Sequence, residues 1–267
     1  MVFLMLISII GLPVTIIALQ EQRWFKKLLF YHSPKYLRPI SHKLKPINIY
    51  FNKLSSEKRQ EFNWRAYYFL DTTKIEFRHF KAAQLINFNA VRYLIASVAT
   101  QMTLFLTEDC FDAFNRIIIY PDQYYSPLTG KYHKGETNPG AGLIILSWES
   151  FKEGFQNPQD GVNLLVHEFA HALWLENKLF DYEIFPEGTF KKYESLAGVF
   201  LEEQQDPSNF LRSYAFKNQE EFFAVAVENF FERPHIFKRE LPDLFNCMVA
   251  LFGQDPTNYV SPDYFTS

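Results

Sequence analysis

Asp160-Gly-Val-Asn-Leu-Leu-Val-His-Glu-Phe-Ala-His171 is the stretch that decides how this chain is read. Within it, His167, Glu168 and His171 spell H-E-x-x-H. Residues four apart on a helix share a face, so both imidazoles can address one ion at the about 2.0–2.1 Å typical of zinc–nitrogen bonds. Glu168 is turned about 100° from His167, which puts it beside such an ion rather than on it. From there a carboxylate could take a proton from a metal-activated water and hand it to a leaving amine. Asp160 is expected to cap this helix, and Leu165, Phe169, Ala172 and Leu173 to bury its opposite side. That apolar backing argues against an exposed helix carrying two surface histidines by accident.

A catalytic zinc usually takes a third protein ligand. The metzincin pattern would need Gly at 174 and His at 177, where this chain has Trp174 and Asn177, so that class is excluded. Downstream carboxylates are Glu187, Glu194, Glu202, Glu203, Glu220, Glu221 and Glu228. Spacing alone does not choose among them. The stretch from Asn218 reads as a capped helix with an apolar body, and a carboxylate in its first turn beside Phe222 and Phe223 is better placed to face inward. The competing role for Glu221 is to close a capping box with Asn218. Glu228, on the same helical face, is expected to be a surface or packing carboxylate, with support of a metal ligand as the alternative.

The chain around this stretch is globular in composition: 267 residues, 48 % apolar and 21 % charged, with 29 Phe to fill a core. A net charge of −3 carries no basic excess for a nucleic-acid reader. Two cysteines, Cys110 and Cys247, allow at most one bridge and fit a reducing compartment. The first 19 residues hold no charge and would span about 28 Å as a helix, close to a bilayer's hydrocarbon core. Residues 1–19 are therefore expected to form a membrane anchor, rather than a signal peptide or an apolar helix packed on the domain. Neither a preceding Lys or Arg nor a small-residue cleavage site supports the signal-peptide reading. Residues 20–60 carry a net +8, which by the positive-inside rule sets the domain on the cytoplasmic face of the inner membrane. Residues 20–47, with Pro34, Pro39 and Pro46, read as a basic linker, and 48–267 as a single domain.

Inside that domain, a helix capped by Ser55 or Ser56 runs through Phe62, Ala66, Phe69 and Leu70, and a second fits Val91 to Leu106. Arg116–Tyr120 and Leu143–Ser147 read as short buried strands, the latter expected to pair with an extended peptide. The pattern after residue 150 is helical. His32, His42, His79, His133 and His235 read as surface residues.

Several blocks besides the histidine stretch carry a family resemblance. In order they are Ile117-Ile-Ile-Tyr-Pro-Asp122, Gly135-Glu136, Leu143-Ile-Ile-Leu-Ser-Trp-Glu149, Asp160-Gly-Val-Asn163, Glu221-Phe-Phe-Ala-Val225 and Pro234. Over most of residues 50–250 the chain resembles the Mlc titration factor A family of zinc-dependent peptidases, whose catalytic core is similar to that of anthrax lethal factor. The resemblance implies an α+β, zincin-like metallopeptidase, mostly helical with a small sheet. It implies one zinc ion on His167, His171 and Glu221, Glu168 as the catalytic carboxylate, and Tyr214 steadying the oxyanion. It also implies a peptide or protein substrate, and a second possible role, the sequestering of a sugar-responsive repressor with weak or incidental hydrolysis. Two departures stand out: Trp174 replaces the family's usual Asp, and Thr137 follows Gly135-Glu136 where a Trp is usual.

Overall fold

A computed structural model describes residues 49–81, 86–106, 110–127, 129–180, 183–203 and 210–258. The expected anchor at 1–19 and linker at 20–47 lie outside the described residues, and no described helix is long and apolar enough to cross a membrane. In chain order come α1 (Ile49–Lys53), α2 (Ser56–Thr72), β1 (Lys74–Phe77), α3 (Phe88–Thr103), β2 (Arg116–Tyr120), β3 (Tyr124–Ser126), β4 (Lys131–His133), β5 (Gly135–Asn138) and β6 (Leu143–Ser147). Then follow α4 (Trp148–Gln156), α5 (Leu164–Leu179), α6 (Thr189–Glu203), a 3-10 turn (Ser213–Lys217), α7 (Gln219–Glu232), α8 (Pro234–Glu240) and α9 (Pro242–Phe252). The chain is thus mostly helical with a small mixed sheet.

The four-stranded sheet has the order β1-β2-β6-β5. β1, β2 and β6 are parallel, while β5 runs antiparallel along the edge beside β6. The parallel strands β2 and β6 are continuous apolar runs because helices cover the sheet, and Ile117, Ile119, Ile144 and Leu146 are fully buried. This corrects one expectation. Leu143–Ser147 is hydrogen-bonded on both sides, so it has no edge to offer a peptide; the sheet's edges are β1 and, beside α5, Gly135–Asn138. β5 lacks the apolar alternation that would have announced it as a strand.

Local signals place the helix starts. Ser55 Oγ accepts from Lys58 N at 3.2 Å, and Asn87 Oδ1 accepts from Ala90 N at 3.1 Å, starting α3 three residues before the expected Val91. α5 corrects another reading: its cap is Asn163, whose Oδ1 accepts from Val166 N at 3.2 Å. Asp160 instead closes the preceding turn on Val162 N at 2.9 Å. Leu165, Phe169, Ala172 and Leu173 are all fully buried, as the apolar face of α5 requires.

α5 is fixed from both ends of the sheet. Glu176, fully buried on α5, accepts the N–H groups of Phe111 and Ala113, both at 2.7 Å, and so ties the turn before β2 to the helix. Such charge-assisted bonds to backbone N–H groups are stronger than neutral ones and help to hold the buried carboxylate. Behind α5, Trp174 packs against Phe190 and Phe223 with ring centroids 5.0 and 5.5 Å apart. The residue that departs from the family's Asp is therefore a core side chain between α5, α6 and α7, and it does not narrow a cleft.

Candidate metal centre

The histidine pair on α5 is met by α7, which packs along it. His167 and His171 sit one turn apart with Nε2 atoms 3.0 Å from each other. Glu221, in the first turn of α7, brings Oε2 to 3.2 Å from His167 Nε2 and 3.4 Å from His171 Nε2. Asn218 does cap α7, accepting from Glu221 N at 2.8 Å, but the Glu221 side chain leaves the cap and turns to the histidines.

The outer nitrogens decide what the inner ones can do. His167 Nδ1 faces Glu228 Oε1 at 2.6 Å, and His171 Nδ1 faces Glu220 Oε1 at 3.0 Å. Glu228 keeps the proton on His167 Nδ1, so in the neutral imidazole its Nε2 lone pair points inward, whereas His171 Nδ1 lies near Glu220 without a formed hydrogen bond. Glu221 Oε2 is buried and accepts no hydrogen bond. Three atoms able to ligate an ion therefore converge on one point. Tetrahedral ligation at zinc distances sets ligand atoms about 3.3 Å apart, close to the separations found here. These three side chains could hold a metal ion.

The electrostatics agree. Burial opposes charge on His171, yet Glu220 and Glu221 outweigh it and raise its pKa to about 10. His167 is raised likewise, with Glu221 and Glu228 overcoming burial. Burial pushes Glu221 up, but both histidines and Tyr214 hold it well below the usual carboxylate range. The site attracts positive charge at its centre, and without a metal the imidazole protons supply it.

Glu168 is buried and stands apart from this trio, facing β5. Thr137 Oγ1 lies 2.8 Å from Glu168 Oε2. A Cβ at Gly135 would overlap Glu168 Oε1 and come 2.7 Å from Leu164 Cδ1, so only glycine lets β5 pass this close. Burial is the main cause that raises the Glu168 carboxyl, against the lowering effect of His171, His167 and Thr137. A carboxyl tuned upward in this way suits proton transfer near neutrality.

Tyr214 also reaches the centre, from the 3-10 turn before α7. Its hydroxyl donates to Glu221 Oε1 at 2.7 Å, and Lys217 Nζ joins at 3.2 Å. The structure thus shows Tyr214 orienting Glu221. Burial and Glu221 raise its hydroxyl well above the usual tyrosine range, so it stays a proton donor.

Glu228 overturns its expected surface or packing role. It is 1 % exposed and binds His167 Nδ1, Asn163 N at 2.7 Å, and Arg212 through a fork of 2.6 and 3.0 Å. Its helical position signalled this, since residue i+7 shares the face of residue i. Arg212 carried no sequence signal at all. Of the other carboxylates weighed as ligands, Glu187, Glu202 and Glu203 are exposed, and Glu194 pairs with Lys178. A cleft of about 580 Å³ opens over His167 and Glu168, walled by Tyr132, Gly135, Glu153 and Tyr214.

Comparison with known proteins supplies a context for this geometry. Mlc titration factor A of Pectobacterium atrosepticum is 24 % identical over 76 % of this chain and 82 % of its own length. An uncharacterised protein of Synechocystis is 25 % identical over 78 % of this chain and 80 % of its own. Mlc titration factor A of Serratia proteamaculans is 25 % identical over 61 % of this chain and 68 % of its own. The sequence model of the glucose-regulated metallo-peptidase M90 family matches residues 30–253, a span that holds the entire histidine–glutamate cluster, and the chain belongs to that family.

Proposed function

We propose that this protein is a zinc-dependent peptidase in which His167, His171 and Glu221 hold one zinc ion and Glu168 moves the proton. The observation that carries the reading is the convergence of His167 Nε2, His171 Nε2 and Glu221 Oε2 beside a separate buried carboxylate. Zinc bound there would polarise a scissile carbonyl and bring the pKa of its water to about 7. Glu168 takes a proton from the attacking water and returns it to the leaving amine, with Thr137 and the close-passing Gly135 strand fixing its position. Tyr214, whose hydroxyl donates to Glu221 here, would turn that proton to the developing oxyanion. An extended substrate would add to the free edge of β5.

Glu168→Gln tests the reading. Zinc content measured by atomic absorption should be unchanged, while cleavage of a mixed peptide library should fall by at least about 100-fold. Equal turnover by the two proteins would sink the proton-transfer role.

The relatives named as titration factors favour a second property, sequestering of a protein partner such as a transcriptional repressor. A pure binder would show no difference between wild type and Glu168→Gln in the peptide assay. The proposal also holds residues 1–19 to be an anchor at the cytoplasmic face of the inner membrane. Fractionation of cells expressing the full chain beside one lacking residues 1–19 checks it, the first expected in the membrane pellet.

A further inference from the structure

A second cavity, of about 300 Å³, lies behind the catalytic helix, and neither His167 nor Glu168 lines it. Its walls are mostly apolar: Leu94, Val98 and Met102 from α3, Phe155 from α4, Val166 from α5 and Phe231 from α7. The 154–163 segment separates it from the catalytic cleft, and Gly154 lines both. A Cβ on Gly154 would stand only 3.0 Å from Asn163 Cα, so α4 and the start of α5 pack closely there.

Three charged side chains line this space: Lys53, Glu232 and Asp255. Asp255 is met by Lys238 Nζ at 3.2 Å, and Lys53 is already engaged. Glu232 differs. It accepts from Gly161 N at 3.2 Å and Asn163 Nδ2 at 2.9 Å, both neutral donors, and forms no ion pair with a described residue, its neighbour Arg233 acting on it only through space. Burial is the chief cause that pushes its carboxyl up to about 7. A carboxylate beside an apolar cavity without a counter-charge is costly, and a cation delivered to it recovers that cost.

We propose that this cavity binds a small amphipathic amine, its ammonium group paired with Glu232 and its hydrocarbon body lying among Leu94, Val98, Met102, Phe155 and Phe231. The volume and the few polar groups at one end suit a small ligand. The site is distinct from the metal centre and does not depend on hydrolysis. It touches that centre through Asn163, which caps the histidine helix, donates to Glu232 through its side chain, and donates to Glu228 through its backbone.

The test is calorimetric titration of the purified full chain with three eight-carbon probes: n-octylamine, n-octanoate and 1-octanol. Octylamine should bind at least about tenfold more tightly than the other two, a difference of about 1.4 kcal/mol. Glu232→Gln should remove that preference while leaving octanol binding unchanged. Val98→Trp, which fills the cavity from α3, should abolish binding of all three. Octanoate binding as tightly as octylamine would point to Lys53 and overturn the assignment. So would silence from all three probes in the wild type, or octylamine binding that survives Val98→Trp. Should Glu232→Gln fail to fold, the probe ranking in the wild type and the Val98→Trp result decide the question.

Discussion

Helices α5 and α7 serve the same centre by different means. α5 carries His167 and His171 one turn apart, so the helix period alone brings their nitrogens together. α7 carries Glu221 and Glu228 two turns apart on one face, and they act on different atoms of His167: Glu221 approaches Nε2 and Glu228 holds Nδ1. The first helix presents the two histidines; the second completes the cluster and orients them. A pair of imidazoles four apart is a local fact, whereas a carboxylate 50 residues downstream depends on how two helices pack.

Substitutions on α7 and β5 measure that division of labour. The largest effect is expected from Glu221→Gln, which removes the inward anionic oxygen while keeping shape. Metal affinity by competition with a chelator should fall by more than the about 10–100-fold typical of an outer-shell change. A fall no larger than that would place Glu221 among the supporting residues. Gly135→Ala should leave metal affinity intact and reduce peptide turnover by about 100-fold, because the added methyl must displace Glu168. Unchanged turnover would mean that β5 gives way instead.

Glu228→Gln should weaken metal binding by about 10–100-fold, since His167 loses the carboxylate that fixes its tautomer and Arg212 loses its counter-charge. Thermal unfolding should register the same change, as breaking a buried pair costs about 3–5 kcal/mol when its partner stays behind, and less here because Arg212 is partly exposed. Metal binding itself must displace imidazole protons. With His171 raised to about 10, affinity should climb with pH from about 6 to 9, and calorimetry in two buffers should show proton release at neutral pH.

The smallest effect concerns Glu232, at the far end of α7. Its carboxyl sits at about 7 in the folded chain against an ordinary value of 4.5, so its protonated form is the one the fold favours. The stability it contributes is present below about pH 4.5 and is lost as pH rises toward and through 7. Glu232→Gln should flatten the decline in stability between pH 5 and pH 8, measured by urea unfolding. An unaltered slope would show that the carboxyl is not held up by burial.

How much of this was legible without the tertiary structure varies from element to element. β2 and β6 were readable because strands buried on both faces are unbroken apolar runs, and their bounds matched. β5 was not, because Gly-Glu-Thr-Asn has no such pattern and becomes a strand only by pairing with β6. Asp160 and Asn163 both have the chemistry of a cap; the positive φ of Gly161 turns the chain between them and leaves the helix start to Asn163. Glu228 looked like an ordinary carboxylate on an amphipathic helix, since burial is set by the partner helix and not by the helix itself. Arg212 could not be found at all, as it lies in a turn with no periodicity and acts through Glu228.

By itself the sequence determined the paired histidines, the neighbouring carboxylate and the apolar backing of their helix, because a fixed 3.6-residue turn converts spacing into direction. Only the tertiary structure decided which distant acid meets them, which strands lie at the sheet's edges, and that Trp174 belongs to the core. Those outcomes depend on how side chains from separate elements fill a common volume, and no local period encodes that.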